Sequence, residues 1–217
     1  MIQLSISAAC SYVRRVMDEL VSVEDIGLLA SPDGVDIHRL VEGAIVEAVV
    51  KTHNDAPALL IDGIAATSGV DYDVKVEEKV ATITMLKDTI RVASLKANDS
   101  SIVICEFVAE DSAEGRKQLN KYVRGIPDDP RVVLAKKWAD NYKPVMKYYT
   151  TEKSQEEFDL DLTYVPYPEI EETIVMICPQ LEYAVLNEIS AMVLESLGEK
   201  EKAALCRARV AEYIKGQ

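Results

Sequence analysis

Acid–base, nucleophilic and metal chemistry draw on histidine, cysteine and paired carboxylates, and this chain is poor in the first two. His38 and His53 are its only histidines, and neither stands in an HExxH or comparable metal-ligand spacing. A surface place near a helix start accounts for His38, and a favourable cationic place at a helix end accounts for His53, without any ligand role. The cysteines, Cys10, Cys105, Cys178 and Cys206, are scattered singly. No CxxC pair exists for zinc or thiol exchange, and buried free thiols in a reducing compartment are expected. There is no GxSxG, no GxGxxG and no phosphate-cradling glycine loop. Catalytic residues, metal ligands and cofactors are all expected to be none, because a nucleophile and its base have nowhere evident to meet.

Carboxylates and tyrosines are more plentiful. Asp159 and Asp161, two apart, would share one face of a strand, as an acid–base pair requires. In so acidic a chain a solvated strand edge explains them as well. Tyr148, Tyr149, Tyr164 and Tyr167 suit a ligand-stacking patch, but aromatic residues at this density more often build a core or an interface.

The charge map is the most distinctive feature. Residues 116–147 hold nine basic side chains against three acidic ones, and residues 152–172 hold eight acidic side chains against Lys153 alone. If the two segments are neighbouring strands, their charges pair within one chain. If they form separate faces, they suit a closed ring, in which each subunit presents one surface to the left and another to the right. The candidate subunit interface then comprises Arg124, Arg131, Lys136, Lys137, Glu156, Glu157, Asp159, Asp161, Tyr164 and Tyr167. Pro166 and Pro168 interrupt regular pairing, so 152–172 is expected to be an extended arm or hairpin anchored on a neighbour by Tyr164, Val165 and Tyr167.

These residues need elements to position them. Leu4, Ile6, Ala9, Val13, Val16, Met17 and Leu20 follow a helical face, and Arg14 and Arg15 come after the uncharged start, the reverse of a signal peptide. A turn-rich stretch at 30–34 precedes Asp36, a capping residue for a helix whose apolar face runs Ile37, Leu40, Val41, Ala44, Ile45, Ala48 and Val49. Arg39, Glu42, Glu47 and Lys51 point away from that face, and the helix stops before Pro57. From Tyr72 the period becomes two, with strands expected near 72–76, 80–84, 90–94, 102–108, 131–135, 145–149 and 158–164. A short helix from Asp111 carries Gln118 and Tyr122. Two further helices, 181–193 and 200–214, are separated by Leu197-Gly198.

The order helices, sheet, helices implies an α+β fold in which the terminal helices pack as a helical bundle around an inserted antiparallel β-sheet domain. The expected parts are an N-terminal helical part at 1–69, a β domain with its acidic arm at 70–179, and C-terminal helices at 180–217. At 217 residues, 48% hydrophobic and 28% charged, this is the composition of a folded protein. A net charge of −13 argues against gripping nucleic-acid phosphates or anionic lipid. No apolar run approaches the roughly 20 residues of a spanning helix, so no membrane partner is expected.

Three segments carry a resemblance. They are His53-Asn54-Asp55-Ala56-Pro57, then Ile90-Arg91-Val92-Ala93-Ser94-Leu95-Lys96, then Glu110-Asp111-Ser112 leading to Gln118-Leu119-Asn120-Lys121-Tyr122-Val123-Arg124-Gly125. With the paired C-terminal helices, the chain resembles the head-to-tail connector adaptor proteins of podovirus-like tailed bacteriophages, including the crAss-like group. It departs from them at Ala97-Asn98-Asp99, where an aromatic often follows, and in its long acidic segment. The resemblance implies a virion protein, not an enzyme: a homo-oligomer forming a dodecameric ring below the portal, bound to portal and other ring or tail proteins. DNA would pass as cargo, assembly would occur in the host cytoplasm, and acidic walls would let DNA slide. The alternatives are a soluble α+β enzyme or ligand-binding domain, or another virion component such as a tail protein.

Overall fold

The computed structural model describes residues 1–20, 36–126, 128–135, 143–149, 151–170 and 173–215. The fold is α+β, with helices and with antiparallel and mixed sheets. Two compact units divide the chain, one formed by Met1–Ile61 with Pro168–Gln217 and the other by Asp62–Tyr167. These boundaries fall earlier than 69/70 and 179/180 because of strand pairing at both ends. Ile64 and Ala65 pair inside the second unit, and Ile174–Ile177 pairs with the first residues of the chain.

In the first unit, β1 (Ile2–Ser5) pairs antiparallel with β10 (Ile174–Ile177). The first helix therefore starts later than its apolar spacing suggests. Leu4 reaches the core from a strand, and Ser5 Oγ accepts from the Ala8 N–H at 3.1 Å, opening α1 (Ile6–Leu20). The turn-rich stretch 30–34 lies outside the described residues. Asp36 caps α2 (Ile37–Asp55), its carboxylate accepting from the N–H groups of His38 and Arg39 at 3.1 and 3.3 Å. The helix ends as expected, with Ala56 extended ahead of Pro57.

Helix α4 (Glu182–Ser196), labelled in chain order after a short α3 of the second unit (Ala113–Lys117), is the centre of the bundle. It packs on α1, on α2 and on α5 (Lys200–Lys215), and Val185 and Ile189 of α4, like Val41, Ile45 and Val49 of α2, are fully buried. Gly198, at φ +86°, closes α4 with the Glu199 N–H bonded to the Leu194 carbonyl at 2.9 Å, a left-handed turn that favours glycine.

Two polar residues depart from their expected places. Lys51 does not point to solvent but donates to Glu188 Oε1 at 2.5 Å; that carboxylate, buried on α4, is also met by Arg207 Nε at 3.4 Å. Arg207 in turn holds both oxygens of Glu195, at 2.5 and 2.6 Å. Removing both Lys51 and Arg207 would leave the buried Glu188 carboxylate without compensation. His53 is not a surface cation. It is fully buried, its Nδ1–H donates to the Val49 carbonyl at 2.8 Å, and its Nε2 accepts from the Cys178 N–H at 3.1 Å. The acceptor role of Nε2 requires the neutral ring, and burial pushes its pKa below 6.5 against the opposing pull of the Val49 carbonyl.

In the second unit, five strands lie in the order β3 (Tyr72–Glu77), β4 (Val80–Met85), β8 (Val145–Tyr149), β7 (Val132–Ala135), β6 (Val108–Ala109). All neighbours are antiparallel except β6 and β7. A three-stranded sheet has β9 (Leu160–Pro166) between β2 (Ile64–Ala65) and β5 (Thr89–Ala97). The inner faces meet in one core that includes Ile83, Met85 and Met146 from the first sheet and Val92, Leu95 and Leu162 from the second. Residues 102–107 are not a strand as expected; only Ile104 bridges to Leu95. Helix α3 is shorter than expected, leaving Gln118 as its cap and Tyr122 in the turns that follow.

Replacing Ile45 or Ile189 by alanine should cost roughly 2–5 kcal/mol, seen as a lower urea midpoint at unchanged slope. A second expectation concerns pH. Because His53 takes a proton more readily in the unfolded chain, stability should fall as pH drops below 6.5 towards its depressed folded value, and level off beneath that. His53→Gln should flatten this part of a stability-versus-pH curve.

Candidate assembly surface

The charged segments occupy different sheets. The basic one runs from α3 through β7 and β8, while the acidic one reaches β9. They are not adjacent strands, and no ion pair between them is found among the described residues. The basic charges are instead partly neutralised close by. Arg131 meets Asp129 at 3.2 Å and Glu114 at 3.8 Å, and Lys147 meets Glu110 at 3.1 Å. Lys136 and Lys137 lie outside the described residues.

The extended arm is also corrected. Residues 160–166 form the central strand of a sheet, with Leu160, Leu162, Tyr164 and Val165 buried, because alternating apolar residues gain more by covering the core than by waiting for a neighbour. Pro166 ends the strand at its pairing with Thr89. Glu169 belongs to the first unit, so the acidic run is split between units.

The tyrosines form core, not a stacking patch. Tyr148 is fully buried and donates to Asp99 Oδ1 at 2.8 Å, while Thr151 donates to Asp99 Oδ2 at 2.7 Å. Burial, then the Asp99 carboxylate, pushes the Tyr148 phenol upward. Tyr164 donates to Asp71 Oδ1 at 3.2 Å, and its pKa is raised by burial and then by that carboxylate. Asp71 itself is held below the ordinary carboxylate range, chiefly by Lys87 at 2.6 Å and next by the Thr67 N–H at 2.8 Å. Tyr149 is buried, and Tyr167 is half-buried with its N–H bonded to the Asp88 carbonyl. Buried Tyr164 is therefore not free to anchor a neighbour as expected.

Asp159 and Asp161 are both exposed, on one face as the spacing implies, and Asp161 is in register with Lys96. Neither carboxylate is buried or joined to a base, and both histidines sit in the other unit. Three cysteines are buried, but Cys105 is exposed. No group of three His, Cys, Asp or Glu side chains converges as a metal site among the described residues.

The exposed surface of the second unit has two distinctive places. At the β3 edge, Gln155 covers the open backbone: its Oε1 accepts from the Val76 N–H at 2.5 Å and its Nε2 donates to the Val74 carbonyl at 2.9 Å. Exposed Glu152, Glu156 and Glu157 surround Gln155, and exposed Asp73, Glu77 and Glu78 lie on or just after β3, against Lys75, Lys79 and Lys153. Glu157 accepts from Ser154 Oγ and N–H, which lowers its pKa.

Beside the start of β7 and the end of β8 stands the loop 118–126. Buried Gln118 is its strut, its Oε1 accepting from the Gly125 N–H at 2.8 Å while its carbonyl accepts from Arg124 Nε at 3.0 Å. The Arg124 guanidinium lies 5.5 Å from the Tyr149 ring centre. A Cβ on Gly125 would come within 2.6 Å of the Arg131 nitrogen, so the loop closes tightly there. Thus held, it exposes Leu119, Tyr122, Val123 and Ile126, with Tyr122 83% and Leu119 68% accessible. A cleft of about 400 Å³ lined by Ile102, Ile104, Val108, Pro130 and Val132 lies beside Arg131. Sequence reading missed the loop because it placed Tyr122 on a helix; the run Gln118 to Gly125 without a carboxylate was the available signal.

No protein-family model matches the chain, and no curated protein matches it in sequence. No helix among the described residues is long and apolar enough to cross a membrane.

Gln118→Leu would leave the buried Gly125 N–H unsatisfied, a cost of about 1–3 kcal/mol. Amides 119–126 should then exchange hydrogen faster while those of β4 and β8 keep their protection.

Proposed function

We propose that this chain is a structural virion protein, a subunit of an adaptor ring between the portal and the tail of a podovirus-like tailed bacteriophage. One observation carries the reading: the second unit exposes two unlike surfaces, acidic residues around the β3 edge and an apolar loop with a basic rim. Two unlike surfaces on one subunit favour head-to-tail contacts, which close into a ring when the rotation allows. The three sequence segments that resemble connector adaptors add the virion setting and the dodecamer. A net charge of −13 suits a wall past which DNA moves without being held, since it offers phosphate no counterion release. The ring would bind portal and neighbouring ring or tail proteins, without catalysis.

The test is the mass and shape of the purified chain, with its presence in purified particles. Light scattering at low salt should give a species near twelve times 24.0 kDa, annular in negative stain. At 1 M salt, where the Debye length is about 3 Å, it should dissociate at higher protein concentration than at low salt. A chain that stays monomeric and is absent from particles by mass spectrometry would favour the enzyme or ligand-binding reading.

A further inference from the structure

We infer that the loop 118–126 is the docking element of self-association, inserting Leu119 and Tyr122 against the acidic β3 edge of a second copy of this chain. This rests on the ring reading above and names its interface. The starting observation is a mismatch between order and exposure. Gln118, Gly125 and Arg124 fix the loop with buried or half-buried hydrogen bonds, and turns tie Asn120 N–H to Lys117 carbonyl at 3.0 Å and Val123 N–H to Asn120 carbonyl at 3.1 Å. Such fixed backbone normally supports side chains that are themselves packed. Here the large apolar side chains face water. A rigid, exposed apolar tip has little ordering cost left to meet on binding, which suits a contact made by a few anchors.

Charge selects the occupant. Between Glu114 and Asp128 the chain carries Arg116, Lys117, Lys121 and Arg124 and no carboxylate. Among the described residues, neither Lys117 nor Lys121 has a carboxylate within ion-pair distance, whereas Arg131 and Lys147 are already paired. The complement is an acidic surface, and this chain supplies one at its β3 edge, where six carboxylates meet three lysines. Within one chain the two do not join: among the described residues no ion pair links Lys117 or Lys121 to a carboxylate of the β3 edge, where Lys75 instead meets Glu77 at 2.6 Å. Because Gln155 occupies the outer backbone groups of β3 at Val74 and Val76, the edge receives side chains there, not an added strand. The modest charge surplus on each side sets orientation and encounter, and the apolar tip supplies the affinity.

The experiment uses the full chain with Cys105→Ser. Two differently tagged copies, one bearing Tyr122→Cys and the other Glu156→Cys, are mixed and oxidised. The expected product is the mixed disulfide, exceeding both same-site products. Separately, Leu119→Ala with Tyr122→Ala should weaken self-association by about tenfold or more at any salt concentration. Lys117→Glu with Lys121→Glu should weaken it about tenfold at low salt only. All four positions are exposed, so circular dichroism and the urea midpoint should stay unchanged. Predominance of the Tyr122 same-site product, no disulfide of either kind, or wild-type association by the alanine variant would overturn the inference. So would tight binding of the loop to anionic phospholipid vesicles that the alanine variant loses while self-association persists. If rings form with these variants as readily as with the wild type, the ring reading stands and the interface lies elsewhere. If no ring forms at all and particles lack the chain, the ring reading itself fails.

Discussion

The pairing of β8 with β4 on one side and β7 on the other is the constraint on which the candidate surface depends. It places β3, with its acidic surroundings, at one end of the sheet, and it sets Tyr149 where Arg124 of the exposed loop stacks on it. Its register also sends Met146 and Tyr148 inward, where Tyr148 reaches Asp99 and ties the sheet to the turn after β5. Backbone hydrogen bonding and side-chain alternation are thus the same restraint. A one-residue slip of β8 would expose Tyr148 and Met146 and bury Lys147.

Much of the fold was legible because periodicity reports burial directly. The capping of α2 by Asp36, its end before Pro57 and the Gly198 turn all follow from local backbone chemistry, and each is found where the residues indicate. The errors have equally local causes. Leu4 fits a helical spacing and a strand spacing alike, and only the distant pairing with Val175 decides between them. The register shifts in β5 let both Val92 and Ala93 be buried, which alternation cannot anticipate. Glu78 and Lys79 take positive φ in the turn between β3 and β4, a place where Asn-Gly would have been the readable signal.

The candidate surface was half legible. Charge clustering along the chain identified both segments, but composition is blind to neutralisation by nearby partners. Arg131 and Lys147 look no different in sequence from Lys117 and Lys121, yet the first two meet carboxylates and the others meet none among the described residues. Gln155 and Gln118 carry no charge and no motif, and their roles as an edge cover and a loop strut depend on contacts 79 or more residues away for the one and 7 for the other.

The discontinuity of the first unit bears on how the chain is made. Helices α1 and α2 bury their apolar faces against α4, which lies beyond the whole of the second unit. At ordinary ribosomal speeds of 5–20 residues per second, roughly 6 to 30 seconds separate the emergence of α2 from that of α4. Through that interval the apolar face of α2, with Val41, Ile45 and Val49, has α1 but not α4 to pack on, while the β unit, continuous in sequence, is free to fold first. The nascent chain therefore spends its most adhesive period with a folded domain hanging from an incomplete bundle, and a chaperone that shields short apolar helices would act on this protein at that stage.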